Sequence, residues 1–277
     1  MTDRRTVRRD DECAAFLQWA LPRLRLRWAG FRKVRGQVCK RLRRRLHELG
    51  LATLDEYRGR LDDNPEEWAV LDAFCRITIS RLYRDRGVFD VLGAAVLPQL
   101  AAGAALEGRP VRCWSAGCAS GEEAYTLKIL WDLEVAPKAT AARLEVLGTD
   151  ADERPLRRAA QACFAFGSLK DVPAPWRDLA FEERVRCWCV RPAHRAGVAF
   201  ARQDIRSDLP PGRFDLILCR NLAFTYFETG LQRAILDRLA AVLRVGGYLV
   251  IGAHEQLPDG DAPFAPVAGC RAILRLS

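Results

Sequence analysis

From Gly108-Arg109-Pro110 onward, short apolar runs of strand length alternate with longer amphipathic runs of helical length. No other feature restricts the fold as strongly. VRCWSAG, RLEVLGTD, VAFARQDI, FDLILCRN and YLVIGA read as strands, and Glu122–Leu133, DERPLRRAAQA and Thr229–Leu243 read as helices. In the last helix Leu231, Ile235, Leu239, Val242 and Leu243 share one face, and Gly246-Gly247 is the expected stop. CRAILRLS reads as a closing strand in a hairpin turned at Gly269. Strands joined by helices call for a mostly parallel sheet covered on both faces, an α/β domain over residues 101–277. Residues 164–195 interrupt the scheme with the short alternating RVRCWCV and read as an inserted β subdomain.

The first hundred residues follow another pattern. Residues 1–12 read as a charged flexible tail, and the rest of 1–100 as an all-α domain. In VCKRLRRRLHELG, Val38, Leu42, Leu46 and Leu49 form one stripe, and Gly50 stands as C-cap. Thr53 with Glu56 has capping-box spacing, and Asn64-Pro65 pairs an N-cap with proline at the first helical position. Residues 86–100 read as a further helix of this domain. The net charge of +9 is local: residues 1–60 carry 17 Lys/Arg against 7 Asp/Glu, and the remainder 27 against 28. The basic helix lacks interleaved aromatic residues, which argues against nucleic acid as its partner. The charged N-terminus has no signal-peptide core and no run reads as a membrane helix, so the expected location is cytoplasmic, without membrane insertion. Ten scattered cysteines with no CxxC pair, beside three histidines, are expected to be reduced structural thiols with no metal site.

The chemistry concentrates in WSAGCASGEEAYT, Trp114–Thr126. Ligands of open α/β sheets sit at the carboxyl ends of strands, which is where the Ser115–Gly121 turn falls. Gly117 and Gly121 permit close backbone approach. The turn has no Walker lysine and does not fit GxGxxG. Two glutamates behind it would repel a polyphosphate and suit a ligand with a cationic amine or sulfonium, faced by Glu122 or Glu123. Asp150, ending the next strand, is placed to take both hydroxyls of a ribose. S-adenosylmethionine combines these features. The alternative is that both glutamates only complement a helix N-terminus.

This segment resembles the CheR chemotaxis methyltransferases, which methylate glutamates of bacterial chemoreceptors. SRLYRD is similar to the family's T-x-F-F-R-[DE], GTDAD to S-D-I-D, FDLILCRNLAFTYF to F-D-[LV]-I-x-C-R-N-V-x-I-Y-F, and IGAHEQL to its G-H-S-E ending. The resemblance runs in order from about residue 30 to 277. It implies a Rossmann-like S-adenosylmethionine-dependent methyltransferase domain that releases S-adenosylhomocysteine. It further implies that Asp150 holds the ribose, that Gly117 and Glu123 line the cofactor pocket, and that Asp204-Ile205 sit near the adenine. Ser80 matches a cofactor-contacting threonine, Arg84 an active-site arginine, Arg220 and Asn221 the C-R-N motif, and Tyr226 the active-site tyrosine. Arg41, Arg44 and Arg45, on the basic helix, would dock an acidic helical protein substrate. Ser80 and Leu82 replace a threonine and an aromatic, CRNLAFTYF holds one residue more before its tyrosine, and the inserted subdomain is trimmed. A CheR-like enzyme acting on a small molecule or an unrelated protein, and a non-catalytic regulatory module, are the alternatives.

Overall fold

The computed structural model describes residues 4–139, 142–260 and 263–277. The chain divides into two compact units, Met1–Ile77 with Thr225–Gln232, and Thr78–Phe224 with Arg233–Ser277.

The first unit is helical. A helix spans Arg4–Ala20, so the described part of the stretch expected as a flexible tail is helical, and residues 1–3 lie outside the described residues. The basic helix, Arg35–Leu49, buries Val38, Cys39 and Leu42 and ends at Gly50 with φ 67°. Both predicted caps form. Thr53 Oγ1 accepts from the Glu56 N–H while Glu56 Oε2 accepts from the Ala52 N–H, and Asn64 Oδ1 accepts from the Glu66 N–H. Glu67 is buried and held bidentately by Arg45 at 2.9 and 2.8 Å, with the Tyr57 hydroxyl donating to it at 2.7 Å. Arg45 holds the Glu67 carboxyl below the usual range, against the opposing effect of burial. The Thr225–Gln232 segment belongs to this unit through the Arg27 N–H bond to Tyr226 O and the Glu228 N–H bond to Arg25 O.

The second unit carries, among the described residues, β1 (Val111–Ala116), β2 (Leu144–Asp150), β3 (Cys163–Phe164), β4 (Phe181–Arg184), β5 (Cys187–Val190), β6 (Val198–Arg202), β7 (Phe214–Leu218), β8 (Leu243–Val250), β9 (Phe264–Val267) and β10 (Cys270–Leu276). The main sheet has the order β6-β2-β1-β7-β8-β10-β9, parallel from β6 to β8 and antiparallel beyond. This is the Rossmann-like α/β fold. The strand order reverses direction between β1 and β7, the switch point where such sheets bind ligands. β7 is buried at every position, as expected of a central parallel strand. The β3-β5-β4 antiparallel sheet is the inserted subdomain.

Four expectations need correction. The helical stretch Arg86–Leu106 belongs to the α/β unit and not to the helical one, because it packs its apolar side on β1 and β10. Against the reading of the sequence, that stretch is long and apolar enough to cross a membrane by length and composition, with mean hydropathy 1.6. Here 39% of the apolar window is buried, and Val88, Phe89, Leu92, Val96 and Leu97 are among the buried positions on the side that packs on the sheet. Gly246-Gly247 does not close the preceding helix but lies within β8, where a Cβ on Gly247 would meet Asp215 O at 2.9 Å. Lastly, the cysteines are not all free thiols. Cys13 pairs with Cys39 and Cys163 with Cys189 in disulfides, because helix packing and strand register bring their Cα atoms to 6.1 and 4.0 Å.

Candidate active site

The site is built on the turn after β1. The Gly117 and Cys118 N–H groups both donate to Thr149 O, at 2.8 and 2.9 Å, tying the turn to the end of β2. Gly117, Ala119 and Gly121 have φ of 75°, 48° and 85°. A Cβ on Gly121 would lie 2.9 Å from both Ala159 Cβ and Phe200 Cζ, and one on Gly117 would strike Leu222. These two glycines are therefore fixed by backbone shape and by close neighbours. The Asp150 carboxylate is oriented by the Ala119 N–H at 3.0 Å and the Asp152 N–H at 2.9 Å. It stands at the carboxyl end of β2, beside the turn.

The two glutamates have different surroundings. Glu123 accepts from Ser115 Oγ at 2.6 Å and from Arg220 Nη1 at 3.0 Å, so both of its oxygens are engaged inside the protein. Glu122 is 7% exposed, Ser80 beside it favours its charged form, and its Oε2 has no hydrogen-bond partner among the described residues. Burial pushes the Glu122 carboxyl above the ordinary range. The sequence reading chose Glu123 for the pocket, yet the acid with unmet hydrogen-bonding capacity is Glu122. The GEE pattern could not separate them, because which acid meets Arg220 depends on a contact 97 residues away in sequence.

Arg220 ties the segments together. It lies two residues after β7, is 3% exposed at its side chain, and bonds Asp85 at 2.7 Å, Glu123 at 3.0 Å and the Arg84 carbonyl at 3.0 Å. Its guanidinium also lies 5.1 Å from the Phe89 ring centroid. Tyr83 and Asp85 both adopt left-handed backbone, with φ of 58° and 59°, which for a bulky residue such as tyrosine is an outlier. Their conformation is pinned by the Tyr83 N–H to Thr126 Oγ1 at 2.9 Å, the Tyr83 hydroxyl to Asp90 at 2.7 Å, and the Asp85–Arg220 pair. Between these two strained residues stands Arg84, whose Nη1 donates to Ile79 O at 3.1 Å. Asp85 is paired with Arg220, so it does not neutralise Arg84.

Asn221 has φ 54°, and its N–H donates to Glu255 Oε2 at 2.8 Å, an oxygen that also accepts from the Gly252 N–H at 2.6 Å. Glu255 thus joins the ends of β7 and β8. It falls in the IGAHEQL segment, so its motif was visible while its role was not. Asp204 is held by Arg206 at 2.7 Å, and Ile205 is buried, with its carbonyl accepting from Arg238. Ser80, Arg84, Gly117, Glu123, Asp150, Asp204, Ile205, Arg220 and Asn221 all belong to the α/β unit. Tyr226 belongs to the helical unit, its ring 5.0 Å from that of Phe31. Cys118 lies in the turn itself, and burial, reinforced by Asp150 and Glu123, pushes its thiol well up, so it is a neutral packing group and no nucleophile.

The donor set fits S-adenosylmethionine. It offers a carboxylate at a strand end for the ribose, an acid with an orphaned oxygen for a cationic amine, and a glycine turn with no lysine that would call for phosphate. Residues 78–273 match the family described as CheR methyltransferase, SAM binding domain.

The chain belongs to the CheR methyltransferase family.

It is 33% identical over 191 residues to a chemotaxis protein methyltransferase of Listeria innocua, covering 68% of this chain and 70% of that protein. It is 30% identical over 237 residues to chemotaxis protein methyltransferase 1 of Pseudomonas aeruginosa, covering 80% and 83%. An uncharacterized 104.1 kDa protein of Rhodobacter capsulatus is 34% identical over 238 residues, or 86% of this chain, and the chain spans 25% of that relative's length. Membership makes S-adenosylmethionine the cofactor and methyl transfer the class of activity.

Proposed function

We propose that this CheR-family protein transfers a methyl group from S-adenosylmethionine to side-chain carboxylates of a protein, with glutamates of a chemoreceptor or another cytoplasmic signalling protein as the first candidates. The observation that carries this reading is Arg84: a guanidinium without a carboxylate partner among the described residues, held between two left-handed residues in the unit that contains the acidic turn. When bound, S-adenosylmethionine supplies an electrophilic methyl on a sulfonium centre.

The protein's part is positioning. An acceptor glutamate has a reference pKa near 4.3, so it is already an anionic nucleophile at neutral pH and no general base is required. Arg84 binds and orients that carboxylate, where a bidentate guanidinium is the fitting geometry. Asp150 orients the ribose, Glu122 with Ser80 faces the cationic amine, and the Gly117 backbone admits the ligand. Glu123 and Arg220 act as positioning residues, since their charges are spent on each other and on Asp85. Tyr226 keeps a proposed role in positioning the acceptor on the family resemblance alone.

Two of the three arginines proposed for docking have partners inside the protein. Arg45 is committed to buried Glu67, and Arg41 donates to the carbonyls of Phe74 and Arg76. Arg44, 70% exposed at its side chain and paired only on the surface with Glu48 at 3.5 Å, continues with exposed Lys40 and Arg43 along one helical face. We assign that stripe to an acidic helical partner. The names of the Listeria and Pseudomonas relatives support a chemotaxis target. The replacements at Ser80 and Leu82 and the longer segment before Tyr226 favour, as a second reading, a different acceptor for the same transfer.

The test is transfer of labelled methyl from S-adenosylmethionine to receptor cytoplasmic fragments, with base-labile release of methanol as the signature of an ester. Arg84→Ala is expected to lower the rate about 100-fold, the scale for losing one charge-assisted contact at the reacting group. An unchanged rate would remove Arg84 from the mechanism. A base-stable product would move the acceptor to another chemical class.

A further inference from the structure

The β3-β5-β4 sheet carries a group of side chains that methyl transfer does not use. Cys163 on β3 stands directly opposite Cys189 on β5, and Cys187, two positions earlier on β5, shares that face. Cys187 Sγ lies 3.8 Å from Cys189 Sγ, and the three sulfurs all lie within 4.8 Å of one another. Cys189 is buried, while Cys163 and Cys187 are half-buried and reachable from solvent. A lone structural disulfide would need only the 163–189 pair. The third sulfur is what a metal would use. With metal–sulfur bonds of about 2.3 Å and a tetrahedral angle, two thiolates on one zinc sit about 3.8 Å apart, and this is the separation of Cys187 and Cys189. Three thiolates around a divalent cation leave one net negative charge; Arg184 on β4 is the strand partner of Cys187 and also pairs at 3.5 Å with Glu182, the strand partner of Cys189. The sheet is small, and small scaffolds are commonly held by a disulfide or a metal.

We propose that Cys163, Cys187 and Cys189 form, in the reduced protein, a trithiolate site for a thiophilic divalent cation of the zinc class, and that the Cys163–Cys189 disulfide is the closed, metal-free state of the same site. Opening consumes two equivalents of a thiol reductant. Their two electrons and two protons convert the disulfide to two thiols, and the reductant leaves as its own disulfide. Uptake of the cation then releases three protons, one from each cysteine, as three sulfur–metal bonds form. Water fills the fourth position. Oxidation by a small disulfide runs the sequence backward and expels the cation.

The experiment uses the whole chain, reduced with a phosphine, freed of reductant and metal, and titrated with Co²⁺ as probe, followed by displacement with Zn²⁺. The expected result is a thiolate-to-cobalt charge-transfer band that saturates near one cobalt per chain, vanishes when Zn²⁺ is added, and is absent from the oxidised protein. Loss of even an outer-shell partner costs a metal site 10–100-fold in affinity, so Cys187→Ser should weaken binding about 100-fold or more. Cys270→Ser, at a half-buried cysteine on β10, should leave it unchanged. Circular dichroism of Cys187→Ser shows whether the variant folds. Should it not, Zn²⁺ protection of the three thiols against alkylation in the wild-type chain, read by peptide mass, decides the matter. No charge-transfer band in the reduced protein, an equal band in folded Cys187→Ser, or no protection of these three cysteines would each overturn the proposal.

Discussion

Arg220→Met is the substitution from which the structure of this site predicts most. The arginine is 3% exposed at its side chain and serves two carboxylates, Glu123 at 14% exposure and Asp85 at 29%. Methionine keeps the bulk of the stem against Phe89 but removes every donor. Asp85 can turn to water at small cost. Glu123 cannot do so as readily, and among the described residues it retains only the Ser115 hydroxyl. Breaking a buried pair by removing one partner costs about 3–5 kcal/mol. The hydration open to Asp85 places the expected loss near the lower end, about 3 kcal/mol. For a chain of this size that is a fall in Tm of roughly 6–12 °C. Calorimetric unfolding of the wild type, Arg220→Met, Glu123→Gln and the double variant provides the cycle. The double variant removes the stranded charge and should recover about 1 kcal/mol or more relative to Arg220→Met. An Arg220→Met protein within about 0.5 kcal/mol of wild type, the range of ordinary surface changes, would refute the reasoning. So would a double variant no more stable than the single one.

Other consequences can be measured separately. Burial raises the Glu122 carboxyl in the folded state, so the native protein holds that proton more tightly than the unfolded chain, and this residue's contribution to stability falls as pH rises from about 4.5 through the raised value. Glu122→Gln should therefore raise Tm at neutral pH while weakening S-adenosylmethionine binding, and a lower Tm at neutral pH would contradict the assignment. Glu67 has the opposite sign: Arg45 holds its carboxyl below the ordinary 4.5, so its stabilisation is full above that pH and is lost as pH falls through the depressed value. Urea unfolding from pH 7 down to pH 3 should show an acid limb that flattens in Glu67→Gln. Thr53→Ala removes the hydrogen bond to the Glu56 N–H and should cost about 1 kcal/mol in urea unfolding, with no effect on cofactor affinity.

Local chemistry made much of this legible before the structure. Thr53, Asn64 and Gly50 act within a single turn of chain, so their spacing alone places helix ends. The alternation after Gly108 specifies a parallel sheet because each strand's burial is written in its own residues. The turn after β1 needs glycine at 117 and 121 because of its backbone, and Asp150 follows from its place at a strand end. Long-range pairing was not legible. Glu122 and Glu123 are equivalent in the sequence and are separated only by Arg220. Arg41 and Arg45 looked like surface charge until the fold supplied Glu67 and the carbonyls of Phe74 and Arg76. The stretch from Arg86 to Leu106 looked continuous with the helices before it, and only its packing on β1 and β10 assigns it to the sheet. Among the cysteines, the i, i+2 spacing of Cys187 and Cys189 placed those two on one face of a strand, but nothing in the spacing joined Cys163 to them. Cys163 and Cys189 meet through antiparallel register, which turns a gap of 26 residues into a cross-strand pair.

The most direct test of the account is calorimetric titration of the folded chain with S-adenosylmethionine and S-adenosylhomocysteine, with Asp150→Ala alongside. The account predicts a single site for both ligands. It also predicts at least about a 100-fold loss of affinity in Asp150→Ala, because two hydrogen bonds to a charged acceptor are worth about 3 kcal/mol or more. A folded wild-type protein that binds neither ligand, or an Asp150→Ala variant that binds as tightly as the wild type, would contradict it.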